Sequence, residues 1–339
     1  MRISKRLIAT IVFISCFAVF SFIIFKNLNF EIKSEKKEPT KQFILGFSQI
    51  GSESAWRTRN SQSIIEAAEE NNIQIIFEDA QQKQENQLKA IRKFIVYQVD
   101  VIAFVPIVET GWDNVLQEAK DANIPVIIVD RQIKTDPDLY AGFLGEDSIS
   151  EGKKAAEFLT AKFKNSTKQK INIVELSGTA NSSVATGRAN GFRKIISKDP
   201  KFTIVHSEDG DFLRSRGKEI MDKIIYDSKG YLTINGEPID AIYSHNDSMT
   251  LGLLDSMKAN KISPKDTVII SVDAEQKSID ELVAGNLNCV IECNPNLGPA
   301  LMQLVKQICS GVPIARITYM HETTFTENDD FSKYTPRGY

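Results

Sequence analysis

Histidine, tryptophan and cysteine are scarce in this sequence, with three, two and four residues among 339. His206, His245 and His321 are scattered, and no cysteine or histidine pair has zinc-ligand spacing, so no metal is expected. In a strand, Cys289 and Cys293 would point the same way but lie roughly 13 Å apart, beyond disulfide reach, and they read as packing residues. Charge of one sign is missing too: 41 basic and 44 acidic residues are mixed along the chain, for a net charge of −3. That balance offers no basic face to a nucleic acid. Also absent are a G-x-x-x-x-G-K-[ST] phosphate loop, a G-x-S-x-G elbow and an H-E-x-x-H pair, so neither catalysis nor a cofactor is expected. His245 near Asp247 could be drawn as a general base, but the spacing suits strand-end packing better.

Long apolar runs are missing but for one, Leu7 to Phe25, which follows Arg2, Lys5 and Arg6. Its length suits a bilayer crossing or a secretion signal, and the basic residues before it place everything after Lys26 outside the cytoplasm. No small-x-small cleavage site follows, and an uncleaved membrane anchor is the expectation. Ile14-Ser15-Cys16 is only faintly like a lipoprotein site, because apolar Phe17-Ala18-Val19-Phe20 would remain beyond the acylated cysteine. Residues 31–41 are too polar to bury and read as a tether.

From Gln42 onward, short β-branched runs alternate with helical segments, the pattern of parallel βαβ units. Strands are predicted at 43–48, 73–78, 101–105, 126–129 and 140–144, with helices at 56–70, 84–97 and 110–122 between them. A second series has strands at 171–176, 203–207, 241–244, 268–271 and 289–292. Its helices fall at 150–164, 183–197, 214–226, 248–259 and 276–284, and another is predicted at 298–310. The fold class is therefore α/β with two doubly wound parallel-sheet lobes. The expected division is a leader and tether over 1–41, a first lobe of 42–146 with 293–318, and a second of 147–292 with 319–339. Gly145-Glu146-Asp147 is the expected first crossing and 292–299 a later one. No period is legible beyond Glu327.

Chemistry gathers at the predicted strand ends, which parallel strands place on one edge. Glu53, Ser54, Trp56 and Arg57 follow the first strand, putting an acid, an aromatic ring and a guanidinium into one turn. Asp130-Arg131 ends the fourth strand and could grip neighbouring hydroxyls from both sides. The second half offers Arg188, Phe212, Asn246 and Asp273 at its own strand ends. Each has a bland reading: Asp130-Arg131 as a surface pair, Asp247 as a helix cap, Asp273 as a strand end, Phe212 as core. A flat, hydroxylated molecule such as a sugar would fit the combination, with C–H groups against the indole and hydroxyls on the polar rim.

These residues carry a resemblance. Gly46-Phe47-Ser48-Gln49-Ile50-Gly51-Ser52-Glu53-Ser54-Ala55-Trp56-Arg57, Gln81-Gln82-Lys83-Gln84-Glu85-Asn86-Gln87, Thr110-Gly111-Trp112, Gly210-Asp211-Phe212 and His245-Asn246-Asp247 are similar to the type I periplasmic sugar-binding proteins of the ribose/galactose class, and within it to the galactofuranose-binding members. The resemblance runs from about Phe43 to Thr324. It implies a type I periplasmic-binding-protein fold hinged between two lobes, and a monomeric, extracytoplasmic monosaccharide receptor that delivers its ligand to an ABC transporter permease. By similarity, Glu53, Ser54, Trp56, Arg57, Asp130, Arg131, Arg188, Phe212, Asn246 and Asp273 would hold the ligand, with Glu292 at the crossing as a further member. An alternative role is a membrane-anchored sugar sensor that passes the ligand-bound state to a chemoreceptor or histidine kinase. Ala55 stands where the family has glycine.

Overall fold

The computed structural model describes residues 5–31 and 42–339. The chain separates at Gln42 into two units. In the first, helix α1 spans Lys5–Glu31, and its described aromatic side chains, Phe13, Phe17, Phe20, Phe22 and Phe25, are exposed. Among the described residues, no helix is long and apolar enough to cross a membrane, so the expected anchor is not shown. The tether expected over 31–41 lies outside the described residues, apart from Glu31 at the end of α1.

The second unit opens with β1 (Ile44–Gln49), α2 (Ala55–Glu70), β2 (Gln74–Asp79), α3 (Gln84–Val96), β3 (Val101–Phe104), α4 (Asp113–Asp121), β4 (Val126–Val129) and β5 (Gly142–Gly145). The series repeats as α5 (Ser148–Lys162), β6 (Ile171–Ser177), α6 (Ser183–Ile196), β7 (Phe202–Asp209), α7 (Arg214–Asp227), the short antiparallel pair β8 (Thr233–Ile234) and β9 (Glu237–Pro238), then β10 (Ala241–Ser244), α8 (Asp247–Ala259), β11 (Val268–Asp273), α9 (Gln276–Val283) and β12 (Cys289–Glu292). It closes with α10 (Gly298–Cys309), β13 (Ile317–Tyr319) and β14 (Thr324–Thr326).

Val101-Ile102-Ala103-Phe104 and Val126-Ile127-Ile128-Val129 are buried along their whole length, as strands covered on both faces must be. Alternation divides them: Val101 and Ala103 pack on one side with Leu45, Phe47 and Ile64, whereas Ile102 and Phe104 pack on the other with Phe94, Trp112 and Leu116. The first sheet runs β13-β5-β4-β3-β1-β2 and the second β14-β12-β11-β10-β6-β7. Every neighbour pair is parallel except β12 with β14. Strand order therefore reverses beside β1 in one sheet and beside β6 in the other, and such reversals leave a crevice at the carboxyl edge.

Three stretches cross between the sheets. Gly145 leads from β5 into α5, Glu292 leads from β12 toward α10, and Tyr319 leads from β13 to β14, which runs antiparallel to β12. Each crossing leaves one sheet at the carboxyl end of a strand, and this is what turns the two carboxyl edges toward each other. The segment beyond Glu327, where no period is legible, folds as a 3-10 turn at Phe331–Lys333 against the Phe325 and Tyr334 rings.

Helices α5 and α6 touch backbone to backbone at Gly152, where a Cβ would stand 2.1 Å from the Arg188 carbonyl oxygen. We expect Gly152→Ala to force the helices apart and cost about 1–3 kcal/mol. Urea unfolding measures this, and an unchanged midpoint would show that the helices give way freely.

Candidate functional site

The facing carboxyl edges form a narrow cleft of about 310 Å³, partly open to solvent, lined by Glu53, Ser54, Trp56, Arg57, Asp130, Arg131, Val184, Arg188, Phe212, Asn246, Asp273 and Cys293. Every residue named from the sequence as a ligand contact lies on it except Glu292. That carboxylate points away, accepting from the Thr323 amide at 2.8 Å and pairing with Arg337. The sequence placed Glu292 at a strand end but could not show that Arg337 occupies it. Val184 and Cys293 were missed, since a valine and a cysteine carry no chemical signal until the fold brings them to the cavity.

Local structure explains most positions. Ser54 caps α2, its hydroxyl accepting from the Arg57 amide at 3.0 Å, which puts Trp56 and Arg57 in the first helical turn. Asn246, rather than Asp247, caps α8: its Oδ1 accepts from the Met249 amide at 3.0 Å and its Nδ2 donates to the Phe212 carbonyl at 3.2 Å. Asp247 instead accepts from the Ser271 hydroxyl and, at 2.6 Å, from the Glu275 amide. His245 is fully buried away from the cavity with its Nε2 3.2 Å from Glu175, and burial lowers its pKa. It is no general base for Asp247.

Asp130, Phe212 and Asp273 have φ of 61°, 61° and 118°. Non-glycine residues hold such left-handed backbone at a cost of about 1–3 kcal/mol each, and they concentrate where side chains are aimed at a ligand. The Phe212 ring also needs Gly178, where a Cβ would come within 1.9 Å of it.

Guanidiniums and carboxylates form the cavity's polar frame. Arg57 donates through Nε to Glu53 at 2.9 Å and through Nη2 to Asp130 at 2.6 Å, while its buried Nη1 has no hydrogen-bond partner. Arg131 donates to the Ile107 carbonyl at 3.3 Å, lies 3.7 Å from Glu53, and leaves its Nε unpartnered. Arg188 forms a fork with Glu151 at 2.7 and 3.1 Å, donates to the His245 carbonyl at 2.5 Å and sits 3.8 Å from Asp273. Burial opposes charge at Glu53, but Arg57 and Arg131 outweigh it and hold the carboxyl below its ordinary range. Burial and the neighbouring Arg57 bring Arg131 down to about 10, which leaves it cationic near neutrality. At Asp273, burial pushes the carboxyl well up against the pull of Arg188, so this group can donate as well as accept. The carboxylates that face the three guanidiniums are then Glu53, Asp130 and, just behind the lining, Glu151, three against three.

The two edges also touch directly. The Trp56 amide donates to Glu275 at 3.2 Å and the Gln132 amide donates to the Ser183 hydroxyl at 2.7 Å, while the Trp56 indole donates at 2.6 Å to the carbonyl of Cys293, in the crossing that follows β12. Arg131 lies 5.4 Å from the centre of the Phe212 ring. The structure is thus a shut form. Cys289 and Cys293 are both buried and unbridged, in keeping with their reading as packing residues.

The periplasmic binding protein domain family matches residues 45–312. The galactofuranose-binding protein of Escherichia coli (strain K12) is 38% identical over 301 residues, 87% of this chain and 92% of that protein. A solved structure from Mycobacterium smegmatis in complex with β-D-fucofuranose is 42% identical with a TM-score of 0.79, covering 84% of this chain and 91% of that one. The periplasmic binding component of the arabinose ABC transporter from Shewanella sp. ANA-3, bound to α- and β-L-arabinofuranose, is 39% identical with a TM-score of 0.78, covering 84% and 92%.

Behind the cavity, the Glu146 carboxyl is buried with neither oxygen hydrogen-bonded. Burial, together with Asp130, Glu151 and Glu322, pushes it well above the ordinary value, and Arg188 only partly opposes them. A carboxyl protonated when folded and ionised when unfolded binds the extra proton in the folded state, so its contribution to stability falls as pH rises above the ordinary carboxylate range. We expect Glu146→Gln to flatten the decline in stability as pH rises above the ordinary carboxylate range, as read by urea unfolding. An unaltered slope would mean that Glu146 is ionised in the fold.

Proposed function

The chain belongs to the periplasmic binding protein family, and from that premise we propose that it is an extracytoplasmic receptor that closes on one monosaccharide in its furanose form, galactofuranose or a close relative, and hands it to an ABC transporter permease. The observation that carries this reading is the cavity lining: balanced acids and guanidiniums with spare, directed donors, beside the Trp56 and Phe212 rings. Such a surface suits an uncharged ring bearing many hydroxyls, which accept from arginine and donate to carboxylate in charge-assisted bonds. An ionic ligand would leave one sign of charge uncompensated. The furanose-bound and galactofuranose-binding relatives support the ring form.

In this reading the lobes are 42–146 with 293–318 and 147–292 with 319–339, and they swing on the three crossings. Ligand favours the shut form because its hydroxyls bond both lobes at once, which the open form cannot do. The residues named for this role are Glu53, Ser54, Trp56, Arg57, Asp130 and Arg131 from one side, and Arg188, Phe212, Asn246 and Asp273 from the other. Export follows from the basic residues ahead of the apolar leader, which place the part after Lys26 outside.

A thermal-shift screen over pentoses, hexoses and methyl furanosides identifies the ligand, since binding raises apparent stability by mass action. No shift with any of them would refute the receptor reading. Trp56→Ala and Arg131→Ala are expected to abolish sugar binding in calorimetry while circular dichroism keeps its folded spectrum. Unweakened affinity in both variants would remove these residues from the site.

A further inference from the structure

We propose that segment 335–339 is a brace that sets ligand affinity by holding the Asp273 loop in its binding shape, with Arg337 and Tyr339 as positioning residues; this rests on the receptor reading above. Asp273 and Ala274 both sit at positive φ, 118° and 64°, directly before α9. Glu275 then accepts from the Trp56 amide across the cleft. A strained turn persists only where its surroundings over-determine it. On one side of the turn, Asp273 is the last residue of β11, beside Glu292 of β12 in the sheet, and the Cys293 amide donates to the Asp273 carbonyl at 3.3 Å. On the other side, the Gln276 amide donates to the Tyr339 carbonyl at 2.7 Å, and the Arg337 amide donates to Gln276 Oε1 at 2.8 Å.

Arg337 ties both flanks together. Its guanidinium pairs with Glu292, donates to the Tyr339 hydroxyl at 3.0 and 2.6 Å, and lies 5.3 Å from the centre of the Phe325 ring on β14. Glu292 in turn accepts from the Thr323 amide at 2.8 Å, which joins the last crossing to the same knot. Tyr339 packs against the apolar cluster that holds Trp56, Ile291 and Cys293. One short segment thus fixes the residues before and after a turn that presents Asp273 to the cavity. Glu292 acts on the ligand through this brace, not by touching it.

The test compares the full chain with Arg337→Ala, Arg337→Lys and a deletion of 335–339. Without ligand, hydrogen exchange of the Gln276 amide is expected to speed up in the deletion, and unchanged protection would overturn the brace. With methyl β-D-galactofuranoside as probe, the deletion and Arg337→Ala are expected to weaken binding by about tenfold or more, chiefly through faster dissociation, with Arg337→Lys recovering part of the loss. Lower melting temperatures with affinity within about twofold of the full chain would reduce the segment to a structural role and overturn the proposal. If the full chain takes up no sugar, the receptor reading fails instead, and the exchange measurement alone decides the brace.

Discussion

The structure depends on three guanidiniums held out of water in one cleft. Burying an ion costs several kcal/mol unless a partner and hydrogen bonds compensate it. Arg57 is met by Glu53 and Asp130, Arg188 by Glu151 and the His245 carbonyl, and Arg131 by the Ile107 carbonyl and by Glu53 and Asp130 at 3.7 and 4.0 Å, beyond hydrogen-bond reach. In the function proposed above, this incomplete compensation is what a ligand would answer. Arg57 Nη1 and Arg131 Nε are donors already aimed and dehydrated, so a ligand hydroxyl that accepts from them relieves a cost the fold has already met.

Each pairing in that frame lies on one side of the cleft, and the contact between the two sheets brings the two halves together. Arg57 and Arg131 sit with the first sheet, Arg188 and Asp273 with the second, and the Trp56 amide reaches Glu275 and the Gln132 amide reaches Ser183 across the gap. Opening would break these contacts and return water to the guanidiniums. A two-lobed receptor can therefore read one small molecule through a large motion, because the same few bonds report both occupancy and closure.

Behind the cavity, the crossings are acidic where the cavity is balanced. Glu146 lies in the first crossing and Glu322 in the last, with Glu151 between them, held below its ordinary range by Arg188 against the effect of burial. Burial and the Glu151 charge push Glu322 up to about 9, although Lys154 donates to it at 3.1 Å. Crowding of buried acids at the crossings favours their protonated forms, which lessens the repulsion among them.

Much of this was legible in the residue order. The central strands are short and apolar and alternate with helices, and the strand-end residues of a parallel sheet share one edge by necessity, so Glu53, Asp130, Arg188 and Asp273 could be named together from the sequence, whereas the edge strands β13 and β14 carried no signal. Element ends moved by one to three residues, as at α4, where Trp112 packs on Phe104 and the helix begins at Asp113. What the order of residues could not convey was pairing between distant segments. That Arg337 takes Glu292, that Cys293 gives its carbonyl to Trp56 and that Glu146 is buried beside Asp130, Glu151 and Glu322 are facts about groups brought together from far along the chain. Local periodicity reports which face a residue takes, because that depends on its immediate neighbours. Partners and protonation depend on what the closed fold removes from water, and only the tertiary structure decides that.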